Sequence, residues 1–158
     1  MNILALDLAT RTGWAMNVKK RIMSGVVVFD VQRGESPGMR FHRLNSWLRM
    51  HVGPVDLIIY EQAHHRGGAA TMVGVGMATH VMTFAAENNI DLMTVHTGTL
   101  KKWATGKGNA SKEEMIKAAQ DRGHMPKDDN EADALLMLEY AMHQVGDYVN
   151  ATIEGQSN

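Results

Sequence analysis

Residues 1–14, MNILALDLATRTGW, constrain the fold more than any other stretch of the chain. Ile3, Leu4, Ala5 and Leu6 form a continuous apolar run, the pattern of a strand covered on both faces in the middle of a sheet. Asp7 closes that run. A carboxylate in such a place is costly unless it is paired, hydrogen-bonded or bound to a cation, although Asp also favours turns. Thr10, Arg11, Thr12 and Gly13 then read as a polar turn, and Trp14, Ala15 and Met16 as the start of a second strand folded back on the first.

The rest of the chain alternates strands with helices. Residues 22–30 (IMSGVVVFD) are rich in β-branched side chains and predict a third strand. Gly34, Pro37 and Gly38 mark a loop, and residues 39–50 carry Met39, Leu44, Trp47, Leu48 and Met50 at roughly helical spacing. Residues 55–60 (VDLIIY) predict a second buried strand with Glu61 at its end, followed by a loop through His64, His65 and Arg66. Residues 69–88 predict a long helix in which Ala70, Gly74 and Ala78 recur every fourth residue beside Val73, Met77, Val81 and Phe84. An interior glycine costs a helix about 1 kcal/mol, so another element, the sheet or a second subunit, is expected to approach closely there. A last strand at 91–96, a short helix at 97–104 and a glycine-rich connector at 105–109 follow. Ser111 with Glu114 reads as a capping box opening a helix to Arg122. A final helix is expected from Asn130 to about Gln144, ahead of a polar, frayed tail.

Hairpins at the start and strands joined by helices later predict an α/β fold: a mixed five-stranded sheet with helices on both faces. A chain of 158 residues, 44% apolar and 21% charged, is expected to make one globular domain at 1–145 with a tail at 146–158. No cysteine is present, which excludes disulfides and thiolate metal sites. With no basic-then-apolar leader and no uninterrupted apolar run of about 18 residues, the expectation is a cytoplasmic protein without a membrane partner. The net charge of −1 means that any nucleic-acid binding must rest on a local basic patch.

Asp7 and Glu61 each stand where an apolar strand stops. In parallel strands such ends lie side by side, on the sheet edge where α/β sites form. Asp133 lies about one turn into the last predicted helix, on the face it shares with Asn130. Three acids without cysteine make a hard, oxygen-only ligand set suited to Mg²⁺ or Mn²⁺ rather than Zn²⁺. Two such ions about 4 Å apart can stabilise both the attacking and leaving oxygens of a phosphodiester displacement. Lys101, Lys102, Lys107 and Lys112 cluster about the glycine-rich connector and form a local patch able to hold phosphates. His64, His65 and Arg66 read as loop residues facing DNA.

Over about residues 1–143 the chain resembles the RuvC-type Holliday-junction resolvases, especially phage-encoded relatives. The pieces that carry the likeness are ILALDLATRTGWA, VDLIIYEQ, LKKWATGKGNASK and EADAL. The resemblance implies an RNase H-like fold, a homodimer acting in the (host) cytoplasm, and paired Mg²⁺-dependent nicking of four-way DNA junctions without a nucleotide cofactor. It places Asp7, Glu61 and Asp133 on catalytic positions and Lys101 and Lys112 beside the DNA, with Lys112 nearest the chemistry. The family commonly carries another acid or a histidine one turn before the last Asp. That position is Asn130 here, a ligand without charge, and Asp129 is the alternative ligand. Another RNase H-like nuclease acting on RNA/DNA hybrid or flap substrates, or a catalytically weakened junction binder, are the other readings. An actin-like ATP-binding protein would need a second domain for which this chain has no room.

Overall fold

The computed structural model describes residues 1–62 and 67–156, with 147–156 as backbone only. Its elements run β1 (Ile3–Asp7), β2 (Arg11–Val18), β3 (Arg21–Val28), α1 (Met39–His51), β4 (Leu57–Glu61), α2 (Ala69–Glu87), β5 (Asp91–Val95), α3 (Thr97–Thr105), α4 (Lys112–Asp121) and α5 (Asp129–Gln156). The strands form one sheet in the order β3-β2-β1-β4-β5. β2 pairs antiparallel with both β1 and β3, whereas β1–β4 and β4–β5 are parallel. This is the expected mixed sheet, with the apolar run of β1 at its centre.

Side-chain alternation along the strands divides the interior in two. Ile3, Ala5, Ala15, Leu57, Ile59 and Val95 face one side, where Leu100, Met115 and the buried stripe of α5 from Ala132 to Ala141 cover them. Leu4, Leu6, Met16, Ile58 and Tyr60 face the other, beneath Leu44 and Leu48 of α1 and Met77, Val81 and Phe84 of α2. A strand buried on both faces has to be apolar throughout, which accounts for the unbroken Ile3–Leu6 run.

Three features differ from the sequence-based expectation. β2 begins at Arg11 rather than Trp14, so Thr12 and Gly13 belong to the sheet and Thr12 is fully buried. The turn pattern misleads because Thr12 satisfies its hydroxyl locally, donating to the Ala9 carbonyl at 2.6 Å. α5 continues to Gln156, past the expected end at about Gln144. Val145, Val149 and Ile153 keep helical spacing across Gly146, and a single glycine costs too little to stop a long helix. Finally, α2 is long and apolar enough to cross a membrane by length and composition, with mean hydropathy 1.3, where no spanning segment was expected. Small residues and threonines interrupt its apolar run without making it polar.

Within the chain, the close approach expected at an interior glycine of α2 is found at Gly76. A Cβ there would lie 2.5 Å from the Phe41 ring of α1, whereas Gly74 has open space around it. Gly13 is still tighter: a Cβ would meet the Asn130 carbonyl oxygen at 1.9 Å, and the next nearest atoms are also α5 backbone. The first turn of α5 therefore rests directly on the β2 backbone. Gly13→Ala is expected to lower stability by about 2 kcal/mol or more, as overpacking against rigid backbone does. For a domain of this size a melting curve should drop by roughly 4–8 °C.

Candidate active site

β1 and β4 run side by side in register, Leu6 opposite Tyr60, so Asp7 and Glu61 are the next residues along two neighbouring strands at their carboxyl ends. Asp7 also pairs with Gly13 across the hairpin, and Gly13 is where α5 touches the sheet. The contact that excludes a side chain at Gly13 thus carries the start of α5, and Asp133 with it, over the end of β1.

Three further ties hold that helix start. Arg11 Nε donates to Asp128 Oδ2 at 2.6 Å, joining β2 to the residue before the helix. Asp128 Oδ1 in turn accepts the Glu131 backbone N–H at 2.9 Å, an N-cap bond. Glu131 is buried, with both oxygens satisfied: Oε1 by the Ser24 hydroxyl of β3 at 2.8 Å and Oε2 by the Lys127 N–H at 2.8 Å. Glu61 is steadied from β5's side of the sheet, since the hydroxyl of Thr97, at the start of α3, donates to its Oε2 at 3.2 Å.

The electrostatics follow from this crowding. Burial pushes the Asp7 carboxyl well above its ordinary range, and the nearby charges of Glu61, Asp133, Asp129 and Asp128 push it further. Asp133 is raised from the ordinary 3.8 to about 7, by burial first and then by Glu61 and Asp129, while Lys101 and Lys112 act in the opposite direction. At about 1.4 kcal/mol per pH unit, that displacement opposes the charged form of Asp133 by on the order of 4 kcal/mol. Asp133 Oδ1 is moreover a buried acceptor with no hydrogen-bond partner. Such an orphan is rare in a folded interior.

Among the described residues no three acidic or histidine side chains are closed around one point as a finished metal cage. The carboxylates are near enough to raise one another's protonation range. An orphaned oxygen, mutual repulsion and an all-oxygen donor set all fit a hard divalent cation, and Mg²⁺ or Mn²⁺ fits the residues present.

The other expected site residues divide. Lys101 and Lys112 reach far enough to act on Asp133, and Lys112 Nζ stands 3.7 Å from Asp129 Oδ2. Lys107 instead pairs with Glu114 at 3.0 Å, on the capping box of α4. Asn130 lies in the first turn of α5, its backbone carbonyl packed against Gly13 of β2. His64, His65 and Arg66 lie outside the described residues. Thr97, Arg11, Ser24 and Glu131 were not anticipated. A polar residue directly after the strand that neighbours Glu61 could have revealed Thr97; the rest depend on tertiary contacts with no local signal.

No protein-family model and no curated protein matches the sequence. Solved structures do match. Thermus thermophilus RuvC in complex with a Holliday-junction substrate superposes with a TM-score of 0.69 at 18% identity, covering 87% of this chain and 90% of that one. A second Thermus thermophilus RuvC structure gives 0.66 at 19% identity, covering 87% and 91%. The chain therefore has the RuvC form of the RNase H-like fold.

The raised carboxyls set a pH dependence. Asp7 and Asp133 bind protons more tightly folded than unfolded, so their stabilising contribution is complete below the ordinary carboxylate value of 3.8 and is lost as pH rises through their raised folded values, which for Asp133 is about 7. In chelator, the melting temperature should fall between pH 5 and pH 8. Asp133→Asn should flatten that fall and raise the pH 8 value by several degrees. Adding Mg²⁺ should restore the wild type at pH 8 and release protons, which titration calorimetry in buffers of different ionisation enthalpy reads directly.

Proposed function

We propose that this chain is a structure-selective endodeoxyribonuclease that resolves four-way DNA junctions by metal-dependent phosphodiester hydrolysis. The observation that carries the reading is the gathering of Asp7, Glu61 and Asp133 at one sheet edge, with Asp133 Oδ1 buried and unpartnered. Likeness to a RuvC bound to a Holliday-junction substrate supports the choice of DNA substrate.

In this reading Asp7, Glu61 and Asp133 hold the divalent ions, with Thr97 fixing the rotamer of Glu61. A divalent ion such as Mg²⁺ held by these residues would supply Lewis-acid charge at the scissile phosphate and lower the pKa of a bound water. Lys101 and Lys112 lie on the same side and neutralise the phosphates flanking the cut, a local patch on a chain of net charge −1. With Mg²⁺, four-way DNA should be nicked in preference to linear duplex and to RNA/DNA hybrid; preferential cutting of the hybrid would assign another RNase H-like activity. Asp7→Asn or Glu61→Gln should lower the rate by roughly 100-fold or more, the scale of losing one electrostatic stabiliser.

Paired nicks need two sites related by a twofold axis, which a homodimer provides. α2 is the proposed interface. Only 22% of its most apolar window is buried within the chain, and Met72, Val75 and Met82 are exposed along it. A sedimentation experiment should give a dimer at micromolar concentration, and Val75→Asp should shift it to monomer and abolish paired nicking while leaving the melting temperature within a few degrees.

A further inference from the structure

The end of the sheet away from the acids carries a groove that the nuclease reading does not use. β2 runs from Gly13, opposite Asp7, to Asn17, opposite Ile3. The β2–β3 turn at Lys19 and Lys20 therefore lies beyond the start of β1, whose length of about 13 Å separates it from Asp7. Beside that turn are two cavities of about 470 and 320 Å³ that meet at Ile22 and Met142, residues lining both. Ile22 and Met142 are 40% and 39% exposed, and Val145 and Trp103 extend the apolar floor to either side.

The two residues of that turn suit its backbone poorly. Lys19 and Lys20 have φ of 50° and 67°, the left-handed pair that a two-residue hairpin turn needs and that Asn-Gly adopts most readily. A lysine with its Cβ is strained there, where glycine is not. Both side chains line the larger cavity. The lysine ion pairs among the described residues are those of Lys107, Lys112 and Lys117, so neither Lys19 nor Lys20 has a carboxylate partner there. Among the described residues one carboxylate lines the groove, that of Glu139, and it is already held by Arg122 at 2.9 Å and His124 at 2.7 Å.

We propose that this groove binds an acidic peptide of a partner protein, one that carries bulky apolar side chains among Asp or Glu residues. The floor at Ile22, Met142 and Val145 takes the apolar side chains, and Lys19 and Lys20 take the carboxylates. Nucleic acid is the poorer fit. Its phosphates would meet the lysines, but the apolar floor would face a charged backbone and gain nothing from excluding water. The strained turn is then explained by its product, two cations at the mouth of an apolar groove on a chain of net charge −1. Because the groove lies away from the acids, a bound partner leaves them open, and the inference does not rest on the nuclease reading.

Fluorescence anisotropy of a labelled Asp-Asp-Phe repeat peptide against the full chain at low salt should show saturable binding. Ser-Ser-Phe and Asp-Asp-Ser repeats, which lack the charge or the apolar side chain, should each bind about fivefold more weakly or worse. Lys19→Asn combined with Lys20→Gly gives the turn its preferred residues. Its melting temperature should rise by a few degrees while peptide affinity falls by roughly fivefold, the scale of two exposed ion pairs. Ile22→Thr, which keeps strand propensity, should weaken binding by about threefold. Nicking of four-way DNA should be unchanged in both variants. Absence of saturable binding, equal binding of the Ser-Ser-Phe repeat, or undiminished affinity in the double variant overturns the proposal. A melting temperature that falls in the double variant overturns the argument from the strained turn, and the proposal with it. If unlabelled four-way DNA displaces the peptide, and the double variant weakens DNA binding by the same factor, the groove is a nucleic-acid site and the peptide reading is overturned. None of these results bears on the acids, so the nuclease reading stands or falls separately.

Discussion

Everything at the site depends on one close packing contact, the first turn of α5 seated on the β2 backbone at Gly13. Asp7 and Glu61 follow from the sheet alone, since β1 and β4 are adjacent, parallel and in register. Asp133 comes from the far end of the sequence, and nothing local places it there. The seat at Gly13, the Arg11–Asp128 pair and the Ser24–Glu131 bond together decide where that helix begins. Because all three ties reach β2 or β3, the edge hairpin acts as a template for a site to which it contributes no acid.

The chemistry that results is a balance held off equilibrium by the fold. Carboxylates in water would separate or stay hydrated; here they are desolvated together. The core beneath them supplies the necessary stability, with β1 buried on both faces and α5 lining one of them from Ala132 to Ala141. The acids sit on strand ends and a helix rather than on loops, so the fold fixes their backbone positions.

Much of this was legible in the sequence. The apolar runs Ile3–Leu6 and Leu57–Tyr60 identified buried strands, and the Ser111/Glu114 pair marked the α4 cap, observed as a reciprocal capping box. Asp7, Glu61 and Asp133 were visible because each is a charged residue beside an apolar run. What was not legible depends on distant partners. Arg11–Gly13 read as a turn because its polarity is matched by Ala9 and Asp128, not by solvent. Glu131 gave no sign that it would be buried, because its satisfying groups come from β3 and the preceding loop. Asn130 occupies the expected spacing for a ligand, and only the fold reveals that its backbone carbonyl is packed against Gly13.

The methionines exposed on α2 add a chemical consequence. Met72 and Met82 lend an open apolar strip the pliability of unbranched thioethers, which suits a surface that must mould to another. A thioether is also readily converted to a sulfoxide, polar and chiral, by mild oxidants. The oxidation state of those two sulfur atoms therefore sets how hydrophobic that strip is.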